Sequence, residues 1–186
     1  EKVLNHIMLE AAADKAELML LELEKPSFRQ EAKNAVKYLL GRGYVKHDMV
    51  FWPASLLMLG LCEFGRTDPV KAYMKNWADK GARLINTDDA LAGCVILRLI
   101  ADGKAEELRP LADKTAAYIM NARAASDGSI IYSQRADNNW VYADGAGMTA
   151  MFLIEYGMFS DRTDCVEKGM LQLKNFLKYG MDEASG

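Results

Sequence analysis

The chain has 186 residues, 51% hydrophobic and 26% charged, with a formal net charge of −3. That length supports one domain with a sizeable core, and a mildly acidic chain with no basic stripe argues against a nucleic-acid surface. No run approaches the length of apolar sequence that a membrane span needs, and Glu1, Asp14 and Glu22 interrupt residues 1–24 in a way no secretory signal does, which leaves open a signal removed before Glu1.

Eight helical segments are expected, separated by short Gly, Pro, Asp and Asn breaks. Residues 3–24 form the least patterned of them, and 27–41 is one-sided through Phe28, Ala32, Ala35, Val36 and Leu39. Residues 50–64 are apolar on nearly every face, with Phe51, Trp52, Leu56, Leu57, Met58, Leu59, Leu61 and Cys62. Residues 68–85 are amphipathic, with Val70, Tyr73, Met74 and Trp77 at helical spacing. The alternation repeats: 90–101 apolar all round, 104–121 one-sided, 143–157 apolar all round, 162–179 one-sided. A helix apolar on all faces needs neighbours on all sides, whereas a one-sided helix keeps a wet face. Strict alternation of the two predicts a two-layered ring of inner and outer helical hairpins, an all-α toroid. A simple bundle would make every helix amphipathic; an open solenoid shares the alternation.

Between the sixth and seventh segments lies the main insertion, residues 122–141. Its 128–133 stretch, GSIIYS, follows an Asp-Gly turn and reads as a short strand or extended loop. Loops of this kind often line sites.

The polar oddities fall at matching places. Trp52 opens the first all-apolar helix, Asp88 and Asp89 the second, and 140–144 (WVYAD) the third. Successive inner helices run parallel, so these N-termini gather on one rim. Free N–H groups and the positive dipole end there suit an anionic ligand. Each residue also has a plain structural role open to it. An N-cap or first-turn Asp is favourable without any chemistry, and Trp52 and Tyr142 fit equally as core aromatics.

Metal and cofactor chemistry find no support. Cys62, Cys94 and Cys165 match no metal spacing, and Cys62 and Cys94 lie in apolar runs as small buried hydrophobes. His6 and His47 are far apart, so a protein-held zinc is not expected. Asp88-Asp89 lacks the third acid of an aspartate-rich magnesium motif, since position 92 is Ala. Gly145-Ala-Gly147 has no strand feeding it and is no phosphate loop.

At this point the residues resemble a family. The run NTDDALAG at 86–93, DGSIIYS at 127–133 and WVYADGAGMTAMFLIEYG at 140–157 are similar to stretches of the unsaturated glucuronyl and rhamnogalacturonyl hydrolases, glycoside hydrolase families 88 and 105. The last run matches W-x-D-x-x-x-M-x-x-x-F-L-x-x-Y-G, with Tyr142 standing where Trp is usual. Tyr132 stands near a position where the family tends to place His. The resemblance covers about residues 45–186. It implies an (α/α)6 barrel, and a chemistry unlike displacement at the anomeric carbon by two carboxylates. An aspartate protonates C4 of a 4,5-unsaturated uronic acid and activates water that adds at C5. That role falls by resemblance on Asp144, and Asp88 matches the family's second aspartate, which orients substrate. Trp52, Tyr142, Tyr132, Trp140 and Met148 are the implied substrate-binding residues. A carboxyl in an apolar mouth beside a second carboxylate should have a raised pKa, as a general acid near neutral pH needs.

The expectation is therefore a single α/α-toroid domain over 1–186, the N-terminal part of a longer catalytic domain, with about eight of twelve helices present. The partner is an unsaturated uronic-acid oligosaccharide, with neither nucleic acid nor membrane involved, in a bacterial cytoplasm or periplasm. An interrupted ring would leave apolar flanks on its end hairpins, favouring self-association or pairing with the remainder. The rival readings are another α/α-toroid sugar enzyme, mannanase-like or an epimerase, and a non-catalytic helical-repeat interaction module.

Overall fold

The computed structural model describes residue 50 and residues 52–103, 105–134 and 139–180. The chain divides into two compact units, Glu1–Arg42 and Gly43–Gly186. All the described residues belong to the second, so the expected helices at 3–24 and 27–41 lie outside them.

Six helices follow in order: α1 (Trp52–Glu63), α2 (Thr67–Asp79), α3 (Ala90–Ala101), α4 (Arg109–Met120), α5 (Ala143–Phe159) and α6 (Thr163–Gly180). Short 3-10 turns at Thr87–Asp89 and Glu106–Leu108 lead into α3 and α4. The inner layer is α1, α3 and α5, with α3 packed between the other two. Helices α2, α4 and α6 lie outside, each beside an inner helix. This is the two-layered hairpin arrangement of an incomplete α/α toroid.

Helix ends follow from local chemistry. After α1, Gly65 takes φ 69°; its N–H and that of Arg66 close back onto the carbonyls of Cys62 (2.9 Å) and Leu61 (2.8 Å). The same closing motif recurs after α2 at Gly81, φ 87°, through Ala82 N–H to the Trp77 carbonyl at 3.0 Å. A left-handed residue is what that motif requires, and glycine adopts it without a side-chain clash. For this reason α2 stops at Asp79 rather than reaching 85. Similarly, α4 starts at Arg109 rather than 104, because Gly103 (φ 68°) and the 3-10 turn intervene before Pro110 enters the first helical turn.

Burial matches the one-sided pattern of α2, whose inward residues are Thr67, Val70, Tyr73, Met74 and Trp77. The all-round pattern behaves less uniformly. Of the residues of α3, only Arg98 and Ala101 are exposed. Helix α1, in contrast, buries Ser55, Met58 and Cys62 but leaves Leu56 half exposed. Likewise α5 leaves Met151, Met158 and Phe159 exposed. The expectation of burial on every side is therefore corrected for α1, whereas the exposed flank of α5 is what an interrupted ring leaves on its end hairpin. Among the described helices only α3 has an inner helix packed on both flanks.

Tight inter-helix contacts rest on glycines. A Cβ at Gly93 would lie 2.3 Å from the ring of Phe152, so α3 and α5 approach through this gap. Gly157 and Gly169 do the same for α5 and α6, where a Cβ would meet Val166 at 2.6 Å and Ile154 at 2.8 Å.

The described parts of the 121–142 connection, residues 121–134 and 139–142, contain no strand, which resolves the 128–133 reading in favour of an extended loop. Among the described residues there are only isolated antiparallel bridges, Ala124 with Ile130 and Asn86 with Ser133. Its tip is an Asp-Gly turn in which Asp127 Oδ1 accepts the Ser129 N–H at 2.9 Å and Gly128 takes φ 84°. No described helix is long and apolar enough to cross a membrane.

Candidate active site

The loop running into α3 separates the roles of its two aspartates. Asp89 accepts the N–H groups of Ile85 and Asn86, the latter at 3.0 Å, and so caps the turn. Asp88 is left for something else. It is 4% exposed, and its Oδ2 accepts the Tyr132 hydroxyl at 3.2 Å. Its Oδ1 is buried without a hydrogen-bond partner, as is the neighbouring Thr87 Oγ1.

Those two unpaired oxygens lie under the start of α5. A Cβ built at Gly145 would stand 3.0 Å from Thr87 Oγ1 and 3.9 Å from Asp88 Oδ1. Only glycine lets the α5 N-terminus come down this closely on the 3-10 turn. Asp144 is the preceding residue, in the first turn of α5, with its Oδ1 accepting the Gly145 N–H at 2.8 Å. Asp88 thus lies beneath the start of α5, close enough for the Asp144 charge to act on it.

The 121–142 loop adds the aromatics. Tyr132 stacks edge-on to Tyr142 with ring centroids 4.9 Å apart, and Trp140 does so to Tyr142 at 6.1 Å. The Tyr132 backbone is fixed on both sides, donating to the Trp140 carbonyl at 2.9 Å and accepting the Thr87 N–H at 3.2 Å. Trp140 is 62% exposed and Tyr142 40%, so both rings offer surface to solvent.

Electrostatics distinguish the carboxylates. Burial pushes Asp88 above the usual carboxylate range; the Tyr132 hydrogen bond partly offsets this, and the charges of Asp144 and Asp89 add to it. Tyr132 is raised too, by burial first and then by the Asp88 charge. The apolar setting beside a second carboxylate, expected for Asp144 as the acid of the site, is found at Asp88 instead. Asp144 itself is exposed.

The remaining candidates sit apart from this cluster's core. Met148, one turn after Asp144, is half-buried and packs against the hydrophobic core, and so does Trp52 at the start of α1. A cavity of about 270 Å³ adjoins the cluster through Val141 and Tyr142 and is otherwise walled by the start of α5, the 125–129 loop and α6 from Gln172 onward. Neither aspartate lines it. Among the described residues no group of three His, Cys, Asp or Glu side chains is placed to hold a metal ion.

A family model described as Glycosyl Hydrolase Family 88 matches residues 66–186. The chain belongs to this family. The match spans α2 to α6 and includes Asp88, Tyr132, Trp140, Tyr142 and Asp144. Membership makes the protein a glycoside hydrolase, with a carbohydrate as its substrate. Neither a curated protein nor a solved structure matches the chain. Within this family-88 domain, sequence reasoning missed Thr87 and Gly145, which bring the α5 start onto Asp88. The signal for them was present in the small residue after Asp144, but a close approach between distant segments is visible only in the fold.

Proposed function

We propose that this family-88 hydrolase acts on 4,5-unsaturated uronyl oligosaccharides, the products of polysaccharide lyases, by hydrating the C4=C5 double bond. The observation that carries the reading is the meeting of Asp88, Tyr132, Tyr142 and Trp140 at the start of α5, beside Asp144. Two carboxylates with exposed aromatic faces suit a sugar ring, and the free N–H groups of a helix start suit its uronate.

In this reading Asp144, as the acid, gives its proton to C4. The carboxylate so formed takes a proton from water as the water oxygen bonds to C5, which restores Asp144. The product is a hemiketal at C5. Its collapse breaks the bond from C5 to the ring oxygen and leaves a ketone there. The anomeric carbon is then a hemiacetal, which opens to the aldehyde and releases the neighbouring sugar. Asp88, held by Tyr132, orients the substrate, and Tyr142 and Trp140 supply stacking faces. Met148 shapes the apolar floor one turn below Asp144.

The test uses the full-length protein and an unsaturated uronyl disaccharide, whose ultraviolet absorbance disappears when the double bond is hydrated. Loss of absorbance in step with sugar release is expected. Cleavage of a saturated disaccharide instead, with the unsaturated one untouched, overturns the reading in favour of another sugar hydrolase.

A further inference from the structure

Gln172 is a polar side chain of α6 that is 1% exposed and borders the cavity beside the site described above. Its amide is fully engaged with the loop across from it. Oε1 accepts the Ile130 N–H at 2.8 Å, and Nε2 donates to the Gly128 carbonyl at 3.0 Å and to the Lys168 carbonyl within its own helix at 3.3 Å. One turn on, Asn175 Nδ2 donates to the Asp127 carbonyl at 3.0 Å and to Ser129 Oγ at 2.9 Å. Together these bonds anchor residues 127–130 to α6. Ile130 and Ile131, both 3% exposed, carry the anchored segment inward, and the next residue is Tyr132. A buried loop segment must have its backbone groups paired, and here a helix side chain supplies the pairs that no strand provides.

We propose that Gln172, assisted by Asn175, is a positioning residue: it fixes the 128–131 segment so that the Tyr132 hydroxyl stays on Asp88. A short chain of bonds connects the outer helix to the buried carboxylate in this way. Gln134 braces the same segment from its other side, through Nε2 to the Ile131 carbonyl at 2.8 Å. Gln172 is distinct in tying the segment to α6, and so tying the geometry of the site to the α5–α6 hairpin. The inference rests on the proposed substrate-orienting role of Asp88.

The charged and titratable groups facing Asp88 are Tyr132 from the loop, Asp144 from α5 and its neighbour Asp89. Of these, only Tyr132 holds the Asp88 pKa down. Loosening the loop should therefore raise it. The experiment follows the Asp88 side-chain carboxyl by carbon NMR through a pH titration of the full-length protein. Four proteins are compared with the wild type: Tyr132→Phe, Gln172→Leu, the double variant, and Asn175→Ala.

Tyr132→Phe sets the reference upward shift. Gln172→Leu is expected to shift Asp88 in the same direction, with no further shift in the double variant, and Asn175→Ala to shift it less. If Gln172→Leu does not fold, Gln172→Asn replaces it. Asn keeps a neutral amide but is one methylene too short to hold both the Ile130 N–H and the Gly128 carbonyl, so a smaller upward shift is expected. A folded Gln172 variant whose Asp88 titrates as in the wild type overturns the proposal. So does a shift that adds to that of Tyr132→Phe, since it would not pass through Tyr132. Activity is read separately: kcat/KM on the unsaturated disaccharide should fall roughly 10- to 100-fold, the scale of a small misplacement of a catalytic constellation. A shifted titration in an enzyme whose wild type ignores that disaccharide would refute the substrate reading and leave the positioning role standing.

Discussion

In α3, Ala90 to Leu97 are buried without a break, and only Arg98 and Ala101 reach solvent. In α5, an equally apolar helix, Met151, Met158 and Phe159 stand exposed. The cause lies in the neighbours. Helix α3 has α1 and α5 on its two flanks and α4 outside, whereas α5 has α3 on one flank and α4 and α6 against it, with no further described inner helix. The same contrast extends to the carboxylates at their starts. Asp88 is buried beneath the α5 N-terminus, while Asp144 stands on the open side. An apolar sequence thus states how many neighbours a helix requires, and burial reports how many it has.

The strongest break of this comparison is at the exposed carboxylate. Asp144→Asn in the full-length protein should lower kcat by roughly 100- to 10,000-fold, the usual contribution of a general acid–base. That corresponds to about 3–5 kcal/mol of barrier. The amide keeps shape and hydrogen bonding but can neither give a proton to C4 nor take one from water, so the loss falls in kcat rather than KM. Asp88→Asn should cost less, because an orienting group can be partly replaced by an amide. A near wild-type rate for Asp144→Asn would remove the central residue of the mechanism.

Packing gives the next largest effect. Gly93→Ala places a methyl against the Phe152 ring, which is wholly buried and has nowhere to swing. Overpacking of this kind costs about 1–3 kcal/mol. Gly147 on α5 has no atom within 4 Å of its would-be Cβ, so Gly147→Ala should instead stabilise by about 0.5–1 kcal/mol through helix propensity. Thermal melts of both variants check the closed against the open helix directly. Equal destabilisation would mean that α5 is as enclosed as α3.

The open flank itself predicts association. Met158 (73% exposed) is exposed near the end of α5, and Met170, Leu171, Phe176, Leu177 (54% exposed) and Tyr179 are exposed along α6. Patches beyond a few hundred Å² usually meet a partner. The 186-residue chain is expected to self-associate in sedimentation experiments, and Met158→Lys with Leu177→Lys to reduce this while leaving the melting temperature nearly unchanged. A monomer at high concentration before any substitution would count against it.

The fold was legible because helix periodicity and break residues are local. The inner starts at Trp52, Asp88–Asp89 and Asp144 all fall where the alternation placed them. What escaped the sequence was non-local. Asp88 and Asp89 are chemically identical neighbours, and only the loop geometry makes Asp89 the cap and Asp88 the group that meets Tyr132. Gln172 reads as an ordinary polar residue of an outer helix until the 127–130 loop folds against it. The half-exposed Leu56 on α1 has the same origin, since periodicity carries no information on whether a neighbour is present.

The smallest effect tests the buried carboxylate. Asp88 has a folded-state pKa above its ordinary value, chiefly through burial. For an acid, that means the folded protein holds the proton more tightly than the unfolded chain does. Its contribution to stability is therefore fully present below the ordinary carboxylate pKa and is lost as pH rises through the raised folded value. Asp89 shifts in the same direction, also by burial, although its cap bonds from Ile85 and Asn86 oppose it. Melting temperature should thus decline across the window from the ordinary carboxylate pKa up to those raised values. Asp88→Asn cannot ionise and should flatten part of that decline, leaving the share belonging to Asp89. Asp144→Asn, at the exposed end of the comparison, removes a charge that also raises Asp88, so it should make the decline shallower by lowering the Asp88 pKa rather than by abolishing its titration. Melts of the wild type and both variants across this range decide the matter: an Asp88→Asn profile parallel to the wild type would show that the buried carboxylate does not titrate with folding.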